Sequence, residues 1–346
     1  MRSWTRREFI KQAAAAADLA VEEINGKGGI GGKAKIKLLV QDAASSDQGA
    51  VTAFRKNVDQ DQVDVLLGPV KSTQVLAMID QIKEAKIPTL VGGTNATLTH
   101  RGNEWLFRMR PDDSIAAQAM VKYIKEDLKL GKLSILHDSD AFGTGGADLV
   151  EKAARDFGIA VGRREKYSTG DNDYTPQLLN IKNSAPDILV LYITNASDAG
   201  KIIKQFRQLG LGFKLMGSPS VAQNITINLA GDALNGVYVT VDYVPESTEV
   251  SKDYAAAYKK KYNQAPDDLS AWAYDSLYIF AKAIANANTL DKAKVRSAIA
   301  AIKNEKRVVG TVSFDKFGNG LHSVSVVTMQ SGQKQLQKVV TVQAEQ

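Results

Sequence analysis

Helical and strand-like segments alternate along almost the whole chain, and that alternation restricts the fold more than any single motif. Ala17, Ala20, Val21 and Ile24 share one helical face, and Asn25-Gly26 ends that helix. Gly28–Gly32 forms a turn, after which Ile36, Leu38 and Val40 alternate as a strand up to Asp42. Ser46 or Asp47 can cap a helix that turns Ala50, Phe54 and Val58 inward. Val63–Leu67 reads as a short buried strand closed by Gly68-Pro69. Val75, Ile79 and Ile82 lie on the next helix, and Pro88–Val91 is the next strand.

The rhythm resumes after Arg110-Pro111-Asp112-Asp113. Helices are expected over 114–128, 145–157 and 198–209, and strands over 133–137, 188–193, 214–216 and 237–241. Three helical stretches follow, at 249–262, 267–287 and 291–303, and then a late strand at Val312–Phe314. Strands separated by helices of this length make parallel sheets with helices on both faces. A chain of 346 residues exceeds one ordinary core and suits two such lobes. Ligands of parallel α/β sheets sit beyond the C-terminal strand ends. That rule selects the loops after Leu67, Val91, His137, Ile193 and Met216.

Composition removes several chemistries. There is no cysteine, hence no disulfide, zinc-thiolate site or thiol nucleophile. The three histidines, His100, His137 and His322, are far apart in sequence, which argues against a His-rich metal site. The net charge of +6 comes from lysines spread over helix faces, with no arginine stripe interleaved with aromatics, so nucleic acid is not expected as a partner. No run approaches the ~20 apolar residues of a membrane-spanning helix.

Among local motifs, Gly28–Gly32 follows a helix and precedes a strand. That is the reverse of a phosphate loop, so it reads as a helix cap and turn. His137-Asp138-Ser139-Asp140 resembles metal ligands in composition, but reads better as a strand-end loop with capping acids. No Gly-x-Ser-x-Gly elbow is present, and Ser72 and Ser220 have no evident His-Asp partners in sequence. Lys71-Ser72-Thr73 and Gly92-Gly93-Thr94-Asn95 follow strands. Their N–H groups and hydroxyls can grip a carboxylate, and ordinary strand–helix turns would show the same pattern.

Several runs together resemble the leucine/isoleucine/valine-binding proteins, the type I periplasmic binding proteins of branched-chain amino-acid ABC transporters. They are Ala17–Asn25 with Gly28–Ile30, Leu67-Gly68-Pro69, Gly93–Thr99, Gly170–Tyr174, Ala271–Asp275 and Gly310–Asp315. The resemblance implies an α/β fold of two Rossmann-like lobes, 1–112 plus 245–317 and 113–244 plus 318–346. Three crossovers near 110–114, 242–246 and 314–320 join them. It implies a non-catalytic, monomeric clamp without cofactor, closing on a small carboxylate or amino acid in the interlobe cleft. The partners implied are the permease and ATPase subunits of an importer. A cytoplasmic ligand sensor on the same fold, similar to amide-responsive regulators, is the alternative.

By the same resemblance Ser72, Gly92 and Thr94 hold the ligand carboxylate, with Thr73 and Gly93 beside them as candidate ligand-binding residues, and Phe142 covers the ligand. Thr194 and Asn195 stand where the family usually has an aromatic. Ser218, Pro219 and Ser220 occupy the loop that in amino-acid binders carries a glutamate for the ammonium, with Pro219 at the glutamate position. Either another acid, such as Asp140 or Asp242, replaces it, or the ligand has no amine; the second is favoured, since a buried ammonium needs a counter-charge. The N-terminus departs too. Thr5–Lys11 resembles a twin-arginine export motif, but Ala13–Ala17 and Asp18 follow it instead of a full apolar core. A periplasmic location is expected, with the export route open. The family's apolar first strand is missing before the first helix. The expectation is a gapped first-lobe sheet, from a truncated or deleted gene start, with impaired stability.

Overall fold

The computed structural model describes residues 6–341 apart from Ser45 and Glu246, with side chains from Gln12 onward. The side chains of the Arg6-Arg7 motif therefore lie outside the described residues. In chain order the elements begin with α1 (Arg6–Gly26), α2 (Asp47–Arg55), β1 (Leu66–Leu67), α3 (Ser72–Ala85), β2 (Thr89–Val91) and β3 (Leu106–Arg108). There follow α4 (Asp113–Glu126), β4 (Lys132–Asp138), α5 (Ala141–Asp156), β5 (Ala160–Tyr167), α6 (Thr175–Asn183) and β6 (Ile188–Tyr192). Next come α7 (Ala196–Gln208), β7 (Lys214–Gly217), α8 (Asn224–Ala230) and β8 (Tyr238–Val241). The chain ends with α9 (Glu249–Tyr262), α10 (Asp268–Ala287), α11 (Lys292–Ala300), β9 (Glu305–Arg307), β10 (Gly310–Val312), β11 (Ser323–Gln330) and β12 (Gln333–Thr341).

These residues form two compact units, the first from 6–111 and 245–321, the second from 112–244 and 322–341. The second unit is a seven-stranded sheet in the order β12-β11-β8-β7-β6-β4-β5. The strands from β8 to β5 are parallel, and β11 runs antiparallel to both β8 and β12. Every residue of β6 is buried, as its uninterrupted apolar run requires of a central parallel strand. Leu189 and Leu191 face one core with Phe206 and Leu178; Val190 and Tyr192 face another with Met120 and Val150. Asp112 caps α4 by accepting from Ser114 N at 2.7 Å, and Asp140 caps α5 by accepting from Gly143 N at 2.8 Å.

The first unit has a three-stranded parallel sheet, β1-β2-β3, and a separate antiparallel pair, β9 with β10. Ser46 rather than Asp47 caps α2, accepting from Gly49 N at 3.0 Å. The segment 318–320 lies beside β3: Arg108 N donates to Gly318 O and Gly320 N to Arg108 O, both at 2.8 Å. Gly318 sits at φ +85, and a Cβ there would lie 2.7 Å from Leu106 O, so glycine is required at this approach.

Ile36–Val40, expected as a strand, joins no ladder among the described residues, and Val40 is 56% exposed. The apolar alternation is present, but a strand needs a neighbour to hydrogen-bond. Val63–Leu67 likewise shortens to Leu66–Leu67. Leu66 N donates to Pro88 O and Gly68 N to Leu90 O, so the Leu67 amide faces the opposite edge, where no strand is bonded among the described residues. The first unit's sheet is thus open at β1. The late strand expected at Val312–Phe314 lies instead at Gly310–Val312, paired with β9, and β3, β5, α6, α8, β9 and the β11–β12 hairpin had no clear local signal in sequence.

Candidate functional site

In the first unit, two strand-end loops are tied together. The loop after β1 leads straight into α3, whose first intrahelical bond is Val75 N to Lys71 O. The N–H groups of Ser72, Thr73 and Gln74 therefore lack helical partners, and the helix dipole favours an anion there. No acidic residue occupies that first turn. Ser72 is 3% exposed, and its Oγ accepts from Asn95 N at 3.2 Å, which leaves its own proton to donate. Thr73 is half-buried beside it, and Thr94 is 5% exposed.

The glycines of the second loop have a packing reason. A Cβ on Gly92 would meet Val70 Cα at 3.2 Å and the Trp272 ring at 3.3 Å; one on Gly93 would meet Leu98 at 3.0 Å and Ser72 Cα at 3.2 Å. The loop lies tight against α3 and α10, so a Cβ at either position would require its neighbours to give by a few tenths of an ångström. Its carbonyls are held from the other side. Arg108, fully buried, donates to Asn95 O at 2.9 Å, and Arg110 donates to Gly92 O at 2.9 Å. Asn95 in turn accepts from Thr97 N through its side chain, fixing the following 3₁₀ turn at Ala96–Leu98. Ser72, Thr73, Gly92, Gly93 and Thr94 are thereby brought together. Sequence reading missed Arg108, Arg110 and Asn319, because arginines on a short apolar strand and an asparagine 211 positions away carry no local signature. Trp272 is 2% exposed, and its Nε1 has no hydrogen-bond partner among the described residues.

In the second unit, Phe142 begins α5 half-buried, and its ring lies 4.9 Å from that of Tyr192. Tyr192 OH donates to Asp113 Oδ1 at 2.9 Å. The loops after β6 and β7 are fastened to each other. Ser218 Oγ accepts from Ile193 N and donates to Ile193 O, both at 3.1 Å, and Ser220 Oγ also donates to Ile193 O. Ser218 and Ser220 are buried and engaged in this bracing, and Pro219 is buried at the start of a 3₁₀ turn, Pro219–Ala222. Thr194 and Asn195 are half-buried on the braced loop. Thr194 Oγ1 and Gln223 Oε1 are shielded from solvent without a partner among the described residues. Gln223 was not anticipated from sequence.

The His137–Asp140 run is also engaged. Burial lowers the His137 pKa, and the neutral ring accepts Arg164 Nε at 3.0 Å while Nδ1 donates to Asp138 O at 2.8 Å. Burial raises the Asp138 pKa, and Asp138 accepts from Thr169 and Tyr167. Asp140 caps α5. Among the described residues, no group of three or more His, Asp or Glu side chains could hold a metal ion.

Each unit carries a parallel sheet with polar loops at its C-terminal strand ends, the place where α/β folds of this kind hold small ligands. The family model for periplasmic binding proteins matches residues 5–334, and the chain belongs to that family. It is 29% identical over 307 residues to the leucine-, isoleucine-, valine-, threonine- and alanine-binding protein of Pseudomonas aeruginosa, covering 88% of this chain and 81% of that one. Among solved structures, the branched-chain amino acid transporter substrate-binding protein of Streptococcus pneumoniae, in complex with isoleucine, superposes with a TM-score of 0.87 at 26% identity. That match covers 96% of this chain and 94% of the other. A Rhodopseudomonas palustris ABC transporter solute-binding protein in complex with 3,4-dihydroxy benzoic acid gives a TM-score of 0.86 at 21% identity, covering 96% and 92%.

Proposed function

We propose that this protein captures a small carboxylate in the periplasm and delivers it to the permease and ATPase subunits of an ABC importer. The observation that carries this reading is the first-unit loop pair. Ser72 opens α3 with unsatisfied N–H groups beside it, and the Gly92–Asn95 loop is anchored by its carbonyls to Arg108 and Arg110. That arrangement suits an anion gripped by hydrogen bonds and a helix N-terminus. Ser72, Thr73, Gly92, Gly93 and Thr94 take the carboxylate.

The ligand carries no ammonium in this reading. Pro219 stands where amino-acid binders resembling this chain have a glutamate, and Asp140, one substitute, caps α5 through Gly143 N. The fold itself is compatible with both kinds of acid, since one structural neighbour is a complex with isoleucine and another a complex with 3,4-dihydroxy benzoic acid.

A thermal-shift screen of amino acids against aliphatic and aromatic acids tests the proposal, because a ligand that binds only the native state raises its apparent stability. A shift by an acid lacking an amine is expected. Ser72→Ala and Thr94→Ala are each expected to weaken its binding by roughly 1–3 kcal/mol. Leucine giving the largest shift would defeat the no-amine reading, and unchanged affinity in both variants would defeat the site.

A further inference from the structure

The first unit holds a cavity of about 260 Å³ between the end of α1, helix α10 and strand β9, with Lys27, Tyr278, Lys282, Glu305 and Arg307 on its polar wall. The charges on that wall do not balance. Glu305 pairs with Lys282. Lys27 has no ion-pair partner among the described residues. The Arg307 side chain is only 16% exposed, and its guanidinium carbon lies 4.6 Å from the centre of the Tyr278 ring. Nε donates to Lys306 O at 3.0 Å, but Nη1 and Nη2 donate to no group among the described residues. Asp275 Oδ1 is 3.9 Å from Nε, too far for a hydrogen bond, and burial pushes that carboxyl up to about 7, so near neutral pH it supplies only part of a counter-charge. Glu23, beside the cavity, accepts from Tyr274 OH at 2.5 Å and Tyr278 OH at 2.6 Å. The last carbonyls of α1 are engaged too: Lys27 N, Gly28 N and Gly29 N donate to Glu23 O, Asn25 O and Ile24 O.

We infer that this cavity is an accessory site for a small oxyanion, a carboxylate or a phosphate, held by the Nη atoms of Arg307 with Lys27 and Lys282 completing the charge. A guanidinium presents its donors in a planar fork that matches two oxygens of either group. Tyr278 covers one face of that plane, so the fork is oriented before an anion arrives. A cation on this wall would meet three like charges and one acid already paired. The cavity is smaller than the roughly 300–1,000 Å³ of ordinary ligand pockets, which limits the occupant to a small anion. Once bound, the anion bridges α1, α10 and β9 within the first unit. None of these residues belongs to the Ser72 and Gly92–Asn95 loops, so the inference does not depend on the function proposed for them.

Calorimetric titration of the whole protein with inorganic phosphate and with succinate, at fixed ionic strength, tests this. At least one of the two is expected to saturate one site per chain; phosphate alone assigns the site to phosphoryl groups, and succinate alone to carboxylates. Arg307→Gln is expected to weaken that binding by about tenfold or more, and Lys27→Gln by about two- to fivefold. Ser72→Ala is expected to leave it unchanged, and so is Lys182→Gln, which removes an exposed lysine of α6 in the second unit. Saturation by neither anion, wild-type affinity in Arg307→Gln, or an equal loss in Lys182→Gln and Lys27→Gln overturns the inference. Should Arg307→Gln not fold, unchanged affinity in Lys27→Gln overturns it instead. If the only binding is of succinate, and it falls in Ser72→Ala but not in Arg307→Gln, the accessory site is refuted and the proposed function stands.

Discussion

The buried Arg108 guanidinium donates to Asn319 Oδ1 through both Nε and Nη2, at 3.1 and 2.6 Å. The same guanidinium reaches Asn95 O at 2.9 Å, so one side chain ties β3, the 318–320 segment and the candidate carboxylate loop together. Asn319 is oriented from its other side by Asp315, which accepts from Asn319 N at 2.9 Å and Nδ2 at 3.2 Å. Asn319→Ala removes the acceptor while the charge stays buried. The expected cost is about 1–3 kcal/mol, with weaker carboxylate binding as a consequence of a loosened loop. Urea unfolding and ligand titration of one preparation measure both.

Asp275 is fully buried, and burial pushes its carboxyl up to about 7 despite Arg307 Nε at 3.9 Å and the Val309 N–H at 2.8 Å. The folded pKa is above the unfolded value, so the folded state binds the proton more tightly. Its contribution to stability is full below about pH 4 and is lost as pH rises to about 7. Asp275→Asn should flatten that pH dependence and raise stability above pH 7 relative to wild type, by on the order of a few kcal/mol at most. Denaturation midpoints at acidic and alkaline pH compare the two proteins.

The open edge of the first unit's sheet has a direct dynamic consequence. Amides of Lys37–Val40 belong to no ladder, whereas those of β6 lie inside a seven-stranded sheet. Hydrogen exchange should run orders of magnitude faster at Lys37–Val40 than at Leu189–Leu191. Val40, 56% exposed, should tolerate replacement by lysine within about 0.5 kcal/mol. Slow exchange at Lys37–Val40 would show that a neighbouring strand protects them.

Gly146 on α5 makes room for the Tyr192 ring, since a Cβ there would fall 1.9 Å from Tyr192 Cε1. Gly146→Ala must displace that ring, which also contacts Phe142 and bonds Asp113. The expected penalty is about 1–3 kcal/mol, together with a changed near-ultraviolet circular dichroism spectrum.

The sequence alone determined the class of fold and most of its helices, because helix periodicity and caps are local properties. The apolar face of α1, the ends of α9 and α10 and the uninterrupted apolar strand β6 are visible within a few residues each. The pairing of Ser72 with the Gly92–Asn95 loop also followed from their places after successive strands. Tertiary structure decided what depends on partners distant in the chain. Ile36, Leu38 and Val40 alternate as a strand should, yet form none, because a strand exists only when another backbone accepts its hydrogen bonds. Arg108 and Asn319 become one unit only because residues 318–320 run beside β3. Ser218 and Ser220 look like ligand contacts in sequence, but their hydroxyls brace Ile193, while Thr194 and the unforeseen Gln223 keep buried oxygens unsatisfied. Which polar atoms are engaged and which remain for a ligand is a property of packing, and periodicity does not encode it.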